Sequence, residues 1–125
     1  MTEDLIGQHM QHGTPNSRAL YDRFVAILDT IGPYTTHPAK TTITFKGTRR
    51  GFCGAHPKND SLHGYFYLTR ALAPDPRLRS VTPYTKRLFV HQFRVSTLDE
   101  LDETFAGWLR EAYRVGQGEH LKPTE

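Results

Sequence analysis

Leu62-His63-Gly64-Tyr65-Phe66-Tyr67-Leu68-Thr69 is the stretch on which the fold turns. Successive side chains of an extended strand point to opposite sides, so Leu62, Gly64, Phe66 and Leu68 share one face. His63, Tyr65, Tyr67 and Thr69 share the other. The first face is apolar and fit for a core; the second is polar yet still aromatic. This pattern predicts a sheet covered on one side and open to solvent on the other.

The same period of two continues outward. Over 41–46, Ile43 and Phe45 oppose Thr42, Thr44 and Lys46. Gly47-Thr48-Arg49-Arg50-Gly51 then reads as a hairpin connection into a short strand near 51–56. A polar turn at 57–61 joins that strand to 62–69. On the C-terminal side, Pro74, Pro76 and Pro83 interrupt regular structure, and Arg77-Leu78-Arg79-Ser80-Val81 is a candidate for no more than a short edge strand. Its two arginines, two residues apart, are expected to face solvent together. Leu88–Val95 is bulky and extended, with Phe89, His91, Phe93 and Val95 on one side and Leu88, Val90, Gln92 and Arg94 on the other. Short connections favour antiparallel neighbours, about four strands in all.

Helical periodicity flanks this region. Leu20, Phe24, Ile27, Leu28 and Ile31 form one stripe, with Asn16 or Ser17 as the cap and Gly32-Pro33 as the stop, so a helix is expected over about 17–31. Ser96 to Glu100 carries two overlapping cap patterns, of which Thr97/Glu100 is the better capping box. Leu98, Leu101, Phe105, Trp108, Leu109, Ala112 and Val115 continue from it as a second stripe ending at Gly116. The expected fold is α+β: an antiparallel sheet of about four strands with two helices packed on one face. Residues 1–15 read as a flexible N-terminal arm, 16–116 as a single domain and 117–125 as a flexible tail.

The chain of 125 residues is 37% apolar, enough to bury a core within one domain. Cys53 is its sole cysteine, which excludes an internal disulfide and multi-cysteine metal centres and fits a reducing, cytoplasmic setting. No stretch approaches the ~20 apolar residues of a membrane span, so no membrane partner is expected. The charge is sorted by position. Residues 40–94 hold eleven Lys/Arg against Asp60 and Asp75, a net +9, whereas residues 1–39 carry −2 and residues 95–125 carry −4. Crowded like charge costs free energy unless solvent or a partner takes it up.

Catalytic signatures are absent. His9 and His12 are three apart in the arm, and His37, His56, His63, His91 and His120 have no ligand-type spacing, so neither metal nor cofactor is expected. His91 reads as a structural histidine and Cys53 as a small buried hydrophobe. Gly47, Gly51 and Gly54 lack the strand–glycine loop–helix context of a nucleotide fingerprint.

Ile31-Gly32-Pro33, Lys40-Thr41-Thr42-Ile43-Thr44-Phe45, Arg50-Gly51-Phe52, Leu88–Val95 and Ser96-Thr97-Leu98-Asp99-Glu100-Leu101-Asp102 with Trp108-Leu109-x-Glu111-Ala112-Tyr113 behind it form a set. In these the chain resembles the DUF5655 family, small bacterial domains of unknown function, over about 17–116. The resemblance implies the architecture and brings no active site to carry over.

The expected function is that of a non-catalytic binding or accessory module. Lys40, Lys46, Arg49, Arg50 and Arg94, with Lys58, Arg70, Lys86 and Arg87, would gather an anionic partner such as nucleic acid, and Tyr65, Tyr67 and Phe52 would offer stacking faces. One alternative is a small-molecule or enzymatic pocket using Lys40, Arg49, Arg50, Arg94 or His91. Another is a self-associating structural domain, with a homodimer as partner, since Trp108, Tyr113 and the strand tyrosines exceed what so small a core must bury. A bland reading stands beside all three: solvated turn residues, and basic side chains paired with the acidic start of the second helix.

Overall fold

A computed structural model describes residues 5–119 as one six-stranded antiparallel sheet with three α-helices. In chain order these are α1 (Leu5–Gln11), α2 (Pro15–Asp29), β1 (Thr35–Pro38), β2 (Ile43–Lys46), β3 (Gly51–Lys58), β4 (Ser61–Leu68), β5 (Leu78–Pro83), β6 (Phe89–Val95) and α3 (Glu103–Gly116), with a 3-10 turn at Leu98–Glu100 before α3. The strand order is β1-β2-β3-β4-β6-β5. The α+β class and the antiparallel sheet are as the alternation predicts. The counts differ, with six strands in place of about four and three helices in place of two.

β4 lies near the middle and behaves as its sequence dictates. Leu62, Phe66 and Leu68 are buried, while His63, Tyr65 and Tyr67 stay partly exposed on the other side. α2 and α3 cover the apolar face. Phe24 from α2, Phe45, Phe66 and Phe93 from the sheet, and Phe105 from α3 are all at most 1% exposed. Phe66 stacks on His91 (5.1 Å between centroids) and on Trp108 (5.9 Å), and meets Phe105 edge-on. Each such ring contributes roughly 2 kcal/mol by burial, and each favourable ring pair adds about 1 kcal/mol.

Where the elements differ from expectation, local hydrogen bonds account for it. α2 starts at Pro15, earlier than Asn16/Ser17 would allow, because Thr14 is the cap: its hydroxyl accepts the Ser17 N–H while Ser17 Oγ accepts the Thr14 N–H. Residues 5–11, inside the expected arm, form α1, whose Ile6 and Met10 pack against the core; Arg18 ties it to α2 by donating to the Met10 and Gly13 carbonyls. Residues 1–4, and 120–125 of the expected tail, lie outside the described residues.

The turn expected at 57–61 shrinks to Asn59-Asp60, with Asn59 in the left-handed region at φ 53°, and Lys58 pairs Ser61. The helix expected over 98–115 is broken at Leu101. The Glu100 carboxylate accepts the Ser96 and Thr97 N–H groups around the short turn, and Asp102 then caps α3 by accepting the Phe105 N–H.

The connection 47–50 docks on the end of α3, where Arg49 and Arg50 both donate backbone N–H bonds to the Gly116 carbonyl. Gly32 lets Tyr113 close the opposite contact: its Oη would lie 2.6 Å from a Cβ there, and it donates to the Pro33 carbonyl. No helix among the described residues is long and apolar enough to cross a membrane.

Candidate functional site

The face of the sheet opposite α2 and α3 contains a cleft of about 470 Å³. Its lining comes from five strands or their ends: Thr42 before β2, His56 and Lys58 on β3, His63, Tyr65 and Tyr67 on β4, Arg79 on β5, and Val90 and Gln92 on β6, with Tyr84 just beyond β5. Among the described residues, no carboxylate lines it.

One end is aromatic. Tyr67 meets Tyr84 at 4.9 Å and Tyr65 at 5.6 Å between ring centroids, and the Arg50 guanidinium lies 4.6 Å above the Tyr67 ring. Tyr84 is 56% exposed, so much of its ring faces solvent. Tyr65 crosses its pairing partner Gly54 to share a 2.8 Å hydrogen bond with Thr44. Only a glycine permits that path, since a Cβ at position 54 would sit 2.6 Å from the tyrosine ring. Burial pushes the Tyr67 phenol up to about 12, so it stays a neutral donor at ordinary pH.

The other end is basic and imidazole-rich. His56 and His63 are register partners across β3 and β4, with ring centroids 6.1 Å apart. His63 is also the register partner of Arg94 on β6. Arg79 Nη1 donates to His63 Nδ1 at 3.3 Å, which fixes the proton of the neutral imidazole on Nε2. Burial first, then the neighbouring charges of Arg79, Lys58 and Arg94, lower the His63 pKa. His56 is lowered to about 4 by burial and by His63, His9 and Lys58. Both rings are therefore neutral near pH 7.

The residues expected to form a site separate into groups. Tyr65 and Tyr67 line the cleft, Arg50 caps Tyr67, and Arg94 stands exposed at the rim beside His63. Lys46 is exposed at the end of β2 on the same face, outside the cleft. Lys40 lines a separate depression with His9 and His12, and the Arg49 stem lies against Gly118 at the end of α3. Phe52 is no stacking platform: a register shift after Phe45 turns it inward, where it is fully buried against Tyr113. Arg70 is taken up by a two-point ion pair with Glu111.

Arg77 and Arg79 do not face solvent together. Arg77 turns to the helix side, bound by Asp75 and Asp102 and lying 4.6 Å from the Trp108 ring. The register shift between Leu78 and Ser80 leaves Arg79 without a Cα partner on β6 and aims it into the cleft.

Lys58, expected among the basic residues, lines the cleft, whereas His56, His63, Arg79 and Tyr84 are among the cleft residues that the sequence left unassigned to a site. A two-residue Asn59-Asp60 turn, had it been read as such, would have paired His56 with His63. His91 is enclosed: its Nε2 accepts the Leu72 N–H, its Nδ1 bonds the Phe89 carbonyl, and neither nitrogen is left for a substrate. Cys53 is fully buried and its thiol is pushed up, which disfavours a thiolate. No group of three or more His, Cys, Asp or Glu is placed to hold a metal among the described residues.

The DUF5655 family model, a domain of unknown function, matches residues 6–116. The chain belongs to the DUF5655 family. The match begins inside α1, so this helix is included in the family domain. No curated protein and no solved structure matches the chain.

Proposed function

We propose that this DUF5655 domain is a binding module that takes an anionic partner on the open face of its sheet, and that single-stranded nucleic acid suits that face best. One observation carries the reading: Arg50, Lys58, Arg79 and Arg94 surround a cleft that also holds Tyr65, Tyr67 and Tyr84, with no carboxylate in its lining among the described residues. Basic side chains supply salt-sensitive attraction to phosphates, and aromatic faces supply base stacking that tolerates sequence. A duplex hides its base faces, so an exposed tyrosine on a sheet favours a single strand.

The test is fluorescence anisotropy with short single-stranded DNA and RNA and the matching duplexes across a salt series. Single strands are expected to bind more tightly than duplexes. Four basic contacts give a log–log salt slope of about −2 to −3. Loss of at least tenfold is expected when Arg79 and Arg94 are both replaced by Ala. No binding of any strand at low salt would overturn the reading.

The cleft volume favours a second reading, a small anionic ligand, because about 470 Å³ is within the range of small-molecule sites. Binding of mononucleotides with no gain from longer strands would select it.

A further inference from the structure

We infer that the cleft is polar along β4 and takes one nucleoside phosphate unit, its planar ring at the Tyr67–Tyr84 end and its phosphate among His63, Arg79 and Arg94. This polarity rests on the anion-binding reading above and adds to it the chemical class and orientation of the ligand. Three observations converge on it. His63, Tyr65 and Tyr67 stand on one face of one strand, and four residues of extended chain separate the first from the last by about 13 Å. The room for a ring and the room for a phosphate are therefore distinct places in one continuous cleft.

The aromatic end is already partly stacked, with Arg50 over Tyr67 and Tyr84 tilted against it, leaving the largely exposed Tyr84 ring as the open platform. Among the described residues, the imidazole end has donors and no carboxylate in its lining. Arg79 Nη1 bonds His63 Nδ1, so the His63 Nε2–H is left to donate, and Lys58 and Arg94 flank it from β3 and β6. Arginine forks and imidazole N–H groups are well matched to phosphate oxygens.

The same arrangement makes binding depend on pH. The groups that face His63 and His56 are His9 from α1, Thr42 before β2, Lys58 on β3, Arg79 on β5 and Arg94 on β6. Burial and these positive neighbours hold both imidazoles neutral. A phosphate beside Arg79 and Arg94 offsets their charge and favours protonation of His63, which then gives up the Arg79 N–H it accepts and donates to the phosphate instead, so the complex takes up protons and affinity rises as pH falls from 7 toward 5.

The test uses the full chain and two sets of probes. Adenosine 5′-monophosphate, adenosine and inorganic phosphate report a free nucleotide. An eight-residue deoxyadenosine strand and an abasic strand of equal length report a polymer, whose diester phosphates do not titrate in this range. Arg79→Ala is expected to weaken the phosphate-bearing probes at least tenfold and leave adenosine unchanged. Tyr84→Ala is expected to weaken the base-bearing probes at least fivefold and leave the abasic strand and inorganic phosphate unchanged. Both side chains are exposed, and an unshifted thermal midpoint confirms that each variant folds.

This crossed pattern in either set supports the polarity, and the set that shows it identifies the source of the phosphate. The polarity is overturned if both substitutions weaken all probes alike or if the pattern is reversed, and equal binding of the eight-residue strand at pH 5 and pH 7 overturns the pH dependence. Failure of every probe to bind is a different result, which removes the anion-binding reading itself.

Discussion

On the covered face of the sheet, Phe66 meets His91, Phe93, Phe105 and Trp108; on the open face, Tyr67 meets Tyr65, Tyr84 and the Arg50 guanidinium. Adjacent residues of β4 thus enter two separate aromatic clusters. The covered cluster is closed by helices and its imidazole has both nitrogens bonded. The open cluster keeps hydroxyls, an exposed ring and a row of basic side chains at its border. The first arrangement spends its aromatic surface on stability, and the second leaves it available to a partner.

The largest expected effect tests the first half of that contrast. Phe66→Ala removes the ring on which His91 and Trp108 stack and should destabilise the domain by about 3–5 kcal/mol in urea unfolding. A loss below about 1 kcal/mol would break the assignment of stability to this face.

Next comes the pair of arginines on either side of Leu78. Arg77 is 13% exposed, fixed by Asp75 and Asp102 and stacked on Trp108, so Arg77→Ala should cost about 2 kcal/mol. Arg79→Ala should remain within ~0.5 kcal/mol of the parent, since its side chain serves the cleft. Equal losses from the two would erase the distinction between a locked and an offered cation.

The smallest effect is that of pH on stability. The His56 pKa is lowered to about 4 by burial first, so between about 4 and the ordinary 6.5 the unfolded chain binds more protons than the folded one. Stability therefore falls as pH drops through that window and levels off below it. The imidazole is half-buried, and solvent screening keeps the change below about 1 kcal/mol. His56→Gln should flatten this part of the profile; an unchanged slope would place the titrating group elsewhere.

The elements that carried apolar alternation were legible from the sequence: β2 follows it residue by residue, β4 buries Leu62, Phe66 and Leu68, β6 buries His91, Phe93 and Val95, and the stripe of α2 is buried as its spacing requires. β1 gave no such signal because Thr35, Thr36 and His37 are all exposed and no apolar face needs to be written into them. α1 was hidden by its length, since seven residues hold too few turns for a periodic stripe.

Tyr65, Tyr67 and Arg94 reached the open face by simple parity. Arg79 and Phe52 did not follow parity because both stand at register shifts, where one unmatched residue reverses the facing of its neighbours along the strand. Charge counting ran into a related limit. Arg70 and Arg77 contribute to the basic sum yet are spent on Glu111, Asp75 and Asp102, partners that lie close only after folding.

The two strands at the margins of the sheet each end in a proline, Pro38 on β1 and Pro83 on β5. A proline has no amide hydrogen, so a foreign strand approaching either border finds the ladder interrupted at its outset. Each proline thereby opposes the sideways addition of a strand and lowers the aggregation risk that an uncovered cluster of tyrosines carries.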